Sequence, residues 1–240
     1  MASIVSDAPS RGQRTVIVGD VHGCAIELDA LLDKVAFSSG DRLVFVGDLV
    51  ARGPDTLGVL DIARRTGAIV VRGNHEQNLL TPHDPANKFH LALSASLRPV
   101  DWTLIRTSPL FVDLPDHDVR VIHAGIDPRV AFERQSPDTM MRIRTVIDAL
   151  GKRGKRQVLW GERYEGPTHI VFGHHAAQGL QLHPWATGLD TGCVYGGRLT
   201  SLVLAAGQKV PQSIEARKRL LVSVPARKVW FAPTKSPRVA

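Results

Sequence analysis

Five short apolar, β-branched runs in this chain end alike, in glycine accompanied by residues that bind metal ions or phosphate. Thr15 to Val18 leads into Gly19-Asp20-Val21-His22-Gly23, and Leu43 to Val46 into Gly47-Asp48-Leu49-Val50-Ala51-Arg52-Gly53. Ala68 to Val71 leads into Arg72-Gly73-Asn74-His75-Glu76, Val119 to Ile122 into His123-Ala124-Gly125, and Ile170 to Phe172 into Gly173-His174-His175. Runs of this kind read as buried strands. Between them, Leu28, Leu31, Leu32 and Val35 mark Ala25 to Val35 as an amphipathic helix, and Leu57, Leu60 and Ala63 mark another with Pro54 in its first turn. Strands alternating with helices predict a layered α/β fold. In an open sheet of that class the carboxyl ends of the strands converge on one crevice, where ligands bind. The repeated ending therefore predicts a single polar site.

Leu199 to Leu204 and Leu220 to Val224 read as further strands. Thr81 to Pro115 and Asp127 to Thr168 are less regular and read as helices and loops above the sheet, with Met140 to Leu150 the clearest helix. No repeat or low-complexity linker divides the 240 residues, so residues 1–206 read as one domain, followed by a segment, 207–240, with a last strand and a flexible tail. No apolar run approaches the length of a membrane span, and Met1 to Gln13 is too polar for a secretory signal. Cys24 and Cys193 are too few for a disulfide framework, which favours reduced thiols and a cytoplasmic protein.

The net charge of +7 suggests a polyanion partner until its location is examined. From Gly207 onward Lys209, Arg217, Lys218, Arg219, Arg227, Lys228, Lys235 and Arg238 face only Glu215, which accounts for the whole excess. The expectation is a solvated surface segment, with weak polyanion binding as its strongest function.

Asp20, His22, Asp48, Asn74, His123 and His174 offer oxygen and imidazole donors without a thiolate, a mixture suited to Mn²⁺, Fe²⁺ or Zn²⁺. Each alone has a plainer reading: a turn carboxylate, a turn asparagine, a core histidine. Together they are too many for one open site but suit two ions sharing a carboxylate, with hydroxide held between them for in-line displacement at phosphorus. Arg52 adds a fork matched to a phosphoryl group.

In this order GDVHG, GDLVARGPD, RGNHE, HAG and GHH resemble the calcineurin-like metallophosphoesterases, in the branch that holds the protein Ser/Thr phosphatases and the symmetrical diadenosine tetraphosphatases. The resemblance covers residues 15–204. It implies an α/β fold, a four-layer α-β-β-α sandwich with a small variable helical cap, and a dinuclear centre taking two divalent ions, Mn²⁺ first, with Fe, Zn, Co or Mg also accepted. Asp20 and His22 would hold one ion, Asn74, His123 and His174 the other, and Asp48 both. His75 would be the general acid, with Arg52 and Asn74 on the phosphoryl oxygens, Arg72 at the rim, and a further arginine supplied by Arg142 or Arg144.

GDLVARGPDT and the stretch Leu189 to Thr200 resemble the tetraphosphatases, which implies cleavage of diadenosine tetraphosphate to two ADP by metal-bound hydroxide. RGNHE leans toward the protein phosphatases, so a small phosphorylated molecule and a phosphoprotein are both open as partners; no membrane is implied. Ala51 stands where protein phosphatases usually have an aspartate that orients the acid. The short stretch from His123 to Gly173 implies a thin cap and an open site. Trp160, Trp185 and Tyr195 can stack on an adenine, although ordinary packing explains them equally well.

Overall fold

The computed structural model describes residues 13–81, 88–149 and 155–232. Two five-stranded sheets lie face to face. The first is built from β1 (Thr15–Val18), β2 (Arg42–Phe45), β3 (Ile69–Val70), β11 (Arg198–Leu204) and β12 (Leu221–Pro225), in the order β12-β11-β1-β2-β3. β1, β2 and β3 are parallel, while β11 and β12 pair antiparallel. The second sheet is built from β4 (Phe111–Leu114), β5 (Val119–Ile122), β8 (His169–Phe172), β9 (Gln181–Leu182) and β10 (Ala186–Gly188), in the order β4-β5-β8-β10-β9. Here β5, β8 and β10 are the parallel strands.

Alternation along the strands divides the core into layers. Val16, Val18, Leu43 and Phe45 pack against α1 (Ala25–Lys34) and α2 (Thr56–Arg65). Ile17, Val44 and Val46 turn the other way and meet Val112, Val121 and Val171 of the second sheet. The outer face of that sheet buries Ile122, Ile170 and Phe172 against Met140 and Trp160. α3 (Asn74–Leu80), α4 (Lys88–Ser96) and α5 (Pro99–Thr107) follow β3.

The cap between β5 and β8 differs from the expected helix over Met140 to Leu150. α6 (Pro137–Arg142) stops before Ile143, and Thr145–Ala149 is instead β6, paired with β7 (Lys155–Leu159) in a hairpin. β-branched Thr145, Val146 and Ile147 suit a pleated ribbon, and helical spacing of apolar residues across the junction was misleading. Leu150 lies outside the described residues. Pro54 also lies outside the expected first turn, one residue before the N-cap: Asp55 caps α2, its side chain accepting from the Gly58 amide at 2.7 Å.

Past residue 206 the chain makes α7 (Ile214–Lys218) and returns as β12. Arg217 departs from the solvated segment expected there. Its side chain is fully buried, donating to the carbonyls of His183 at 2.6 Å and Pro184 at 3.1 Å, so this charge pins α7 to the second sheet. Lys209 pairs with Asp118 at 2.8 Å. Lys235 and Arg238 of the tail, and Met1 to Gly12 at the other end, lie outside the described residues.

Candidate active site

The five strand ends meet around Asp48. Its Oδ2 lies 3.4 Å from Nε2 of His123 and 3.6 Å from Nε2 of His22, and its Oδ1 accepts from the His75 amide at 2.9 Å. Two groups of donors converge on this carboxylate: His22, Asp48 and His75, and Asp48, His123 and His174. Asn74 joins the second, its Oδ1 lying 2.8 Å from Nδ1 of His174 and 3.2 Å from Nε2 of His123. Asp20 is in neither group. Its carboxylate oxygens each accept from the His174 amide at 3.1 Å, which ties the end of β1 to the end of β8.

Backbone geometry accounts for this convergence. His22, Asp48, Arg52 and His174 all have positive φ, between 47° and 70°. A non-glycine residue held there costs roughly 1–3 kcal/mol, least for Asn, Asp and His, and such strain gathers at functional sites. Two glycines permit the close approach. Gly47, at φ 109°, leaves room for the His123 ring, since a Cβ there would stand 2.8 Å from Nδ1. A Cβ on Gly173 would fall on the Asp20 carboxylate.

Main-chain carbonyls aim the rings. Nδ1 of His22 lies 3.1 Å from the Val50 carbonyl and Nδ1 of His123 lies 3.0 Å from that of Val46. A carbonyl can only accept, so the proton sits on Nδ1 in both rings and Nε2 faces Asp48. Glu76, noted in the sequence only as a family discriminator, is the hub of the loops. Its Oε2 accepts from the Asp48 and Gly73 amides at 2.9 Å, and its Oε1 from Leu49 at 2.8 Å and Val50 at 3.2 Å. Glutamate at the third position of a helix that starts at Asn74 is a capping signal, and that spacing was available in the sequence.

The site gathers negative charge. Burial raises Asp20 well above the ordinary carboxylate range, with Asp190 and Asp48 adding to the shift. Burial, with Asp48 adding, also pushes Glu76 up to about 7 and Asp190 to about 6. Burial opposes the charge of Asp48 too, yet His123, His75 and His22 hold it well below the usual range. Burial disfavours a charged His123, but the carboxylates of Asp48, Asp20 and Glu76 outweigh it and raise the imidazole to about 10. His22 and His174 go the other way, burial lowering them to about 3 and about 2 and keeping them neutral. Asp48 and Asp20, beside the neutral, lone-pair-bearing His22 and His174 and the amide oxygen of Asn74, form an oxygen and nitrogen donor set that fits divalent cations.

Above this floor opens a cleft of about 460 Å³, lined by Asp48, Arg52, Asn74, His75 and His174 below and by Arg144, Asp190, Tyr195 and Phe231 around it. Arg52 donates to Nε2 of His22 at 3.0 Å and lies over the Tyr195 ring at 5.5 Å. The His75 ring stands edge-on to His22 with centroids 4.8 Å apart. Of the two cap arginines, Arg144 lines the cleft, whereas Arg142 is drawn away by Asn78 at 2.9 Å and Asp138 at 3.1 Å. Arg72 does not line the cleft, contrary to the expected rim role. The Arg106 carbonyl, 2.8 Å away, and Gln77, 3.3 Å away, hold its guanidinium on the α3–α5 side. Trp160 is buried and donates to the Ala124 carbonyl at 3.0 Å, so it is a core residue, and Trp185 packs over Gly166. Phe231 carried no signal in the sequence beyond its aromatic character, because nothing local places it near the strand ends.

Known proteins resemble this chain over most of its length. The chain is 31% identical to the symmetrical bis(5'-nucleosyl)-tetraphosphatase of Janthinobacterium sp. (strain Marseille), across 79% of this chain and 92% of that protein. It is 28% identical to the asymmetrical bis(5'-nucleosyl)-tetraphosphatase of Oceanobacillus iheyensis, across 77% and 86%. A crystal structure of a candidate diadenosine tetraphosphatase superposes with a TM-score of 0.74 at 36% identity, covering 91% of this chain and 95% of that one. The calcineurin-like phosphoesterase profile matches residues 13–208, from β1 through β11, and the chain belongs to that family.

Proposed function

We propose that this protein is a metal-dependent phosphohydrolase that cleaves dinucleoside polyphosphates, taking diadenosine tetraphosphate to two ADP. The observation that carries the reading is Asp48, one carboxylate shared by two donor groups on the floor of a cleft lined by Arg52 and Arg144. The likeness to a symmetrical tetraphosphatase over most of both chains supports the substrate class.

Asp20 and His22 would hold one divalent ion, Asn74, His123 and His174 the other, and Asp48 both. Such ions, when bound, supply activation of water and neutralisation of charge at the phosphoryl group. Manganese is the proposed metal, and Fe, Zn, Co or Mg can meet the same donors. Arg52 and Asn74 hold phosphoryl oxygens from one side and Arg144 from the other. His75 delivers the proton to the leaving oxygen, and its main-chain amide, bonded to Asp48, sets the ring beside the reacting phosphate. Ala51 offers no hydrogen-bonding group to orient that ring; the edge contact with His22 helps to set it. Arg72 serves the packing of α3 and α5 and takes no phosphate.

In this reading residues 1–206 supply every metal ligand and the acid, and 207–240 supply β12, part of the cleft wall and basic residues for weak polyanion binding. Two free, buried cysteines accord with a cytoplasmic protein. Among the described residues no helix is long and apolar enough to cross a membrane.

The test offers diadenosine tetraphosphate beside a phosphothreonine peptide to Mn²⁺-loaded protein and resolves the nucleotides. Two ADP with slow peptide turnover supports the reading. ATP plus AMP would make the enzyme asymmetrical. Fast peptide turnover with intact dinucleotide would make it a protein phosphatase, which the thin cap can admit.

A further inference from the structure

One wall of the cleft is aromatic, and the end of the described chain builds it. After β12 the backbone turns back over α1. The Arg227 amide and the Trp230 indole both donate to Oε1 of the buried Glu27, at 2.9 and 2.8 Å. The amides of Trp230 and Phe231 both lie 3.0 Å from the Val194 carbonyl. This strap delivers Phe231 next to Tyr195, with ring centroids 6.4 Å apart and planes inclined at 67°. Phe231 remains 37% exposed, so the strap holds a large apolar ring against water inside a polar cleft.

The position of the pair indicates what covers it. Arg52, one hydrogen bond from His22, lies over the Tyr195 ring, so the aromatic wall begins one guanidinium away from the catalytic floor. A phosphorylated ligand seated on Arg52 presents its next group to this wall. Two rings meeting at a wide angle form a corner in which a flat heteroaromatic base stacks on one face and sets its edge against the other. Arg144, which also lines the cleft, adds a positive charge suited to a polyphosphate.

We propose that Tyr195 and Phe231 form a nucleobase shelf that makes this cleft prefer nucleoside-bearing phosphates to base-free ones. The shelf rests on reading the cleft as the phosphohydrolase site, and it assigns the C-terminal strap a part in specificity. Stacking tolerates any base, so the shelf favours purines by area and does not read base identity.

The probe is etheno-ADP, whose fluorescence changes on stacking, bound to Mg²⁺-loaded protein and displaced by pyrophosphate. Phe231→Ala is expected to weaken etheno-ADP about tenfold while shifting pyrophosphate less than about twofold, and Phe231→Trp to restore the nucleotide. Tyr195→Ala is expected to weaken both, because it also releases Arg52. Circular dichroism of Phe231→Ala should match wild type, since the ring is half-exposed. Equal loss of both ligands in Phe231→Ala, or no loss of etheno-ADP, would overturn the shelf. A shelf that passes this test in a protein that leaves dinucleotides intact would sink the tetraphosphatase reading alone.

Discussion

On the floor of the cleft the His22 and His123 rings that face Asp48 are fixed by main-chain carbonyls, whereas the rim is assembled from Arg144, Tyr195 and Phe231, which come from three distant segments. The floor is buried and strained, with positive φ at His22, Asp48 and His174, and Glu76 collects four amides to hold it. The rim is half-exposed and rests on a cap hairpin and a C-terminal strap. The contrast teaches that chemistry and selectivity are held by separate devices. Altering the floor should abolish turnover on every substrate, and altering the rim should change which substrate is taken.

Asp48→Asn tests the floor most severely. Losing the shared charge should cut kcat about a thousandfold or more, on dinucleotide and simple phosphomonoester alike, with the circular dichroism spectrum retained. Near-normal turnover would break the account of the floor. His75→Asn should cost about a hundredfold or more on diadenosine tetraphosphate and far less on p-nitrophenyl phosphate, whose leaving group needs no acid. An equal loss on both would deny His75 the role of acid.

Glu76→Gln touches no substrate, and it separates positioning from chemistry. It sets an amide NH2, which cannot accept, against two of the four buried amides and should destabilise the fold by about 1–3 kcal/mol, measured by urea unfolding. It should also weaken metal binding, because Asp48 and its loop lose their anchor. On the rim, Arg144→Ala should raise KM about tenfold with little change in kcat, while Arg142→Ala, held by Asn78 and Asp138 away from the cleft, should change neither.

The smallest effect is a pH dependence. His123, raised to about 10 in the fold, is charged there while the unfolded chain has already released its proton above the usual value of 6.5. The native state then binds more protons, so stability of chelator-treated protein should fall as pH rises from 7 to 10. His22 and His174, lowered to about 3 and about 2, contribute nothing in that window, being neutral in both states. Bound metal replaces the lost proton as the compensating charge, so the melting temperature of Mn²⁺-loaded protein should vary less over the same range. A rising stability in the metal-free protein would contradict this electrostatic picture.

The same contrast explains what could be read from the sequence. Strands β1, β2, β5 and β8 and the residues at their ends were legible because each donor side chain lies within a few residues of the strand that aims it. Arg72 has the right residue type beside Asn74, and only the Arg106 carbonyl reveals that it turns away. The hairpin β6–β7 hid behind helical spacing at Met140, and Arg217 behind a basic run in which Lys209, Lys218, Arg219, Arg227 and Lys228 are exposed. Phe231 lay beyond reach for a different reason. Its place depends on Glu27 and Val194, which are remote in sequence, and no local pattern records such a meeting.

The central claim is that Asp48 joins two metal ions. Titration of chelator-treated protein with Mn²⁺, followed by calorimetry and electron paramagnetic resonance, tests it without any substrate. The account predicts two ions per chain with an exchange-coupled signal, and loss of that coupling in Asp48→Asn. A single uncoupled ion in the wild type, or coupling that survives Asp48→Asn, would contradict it.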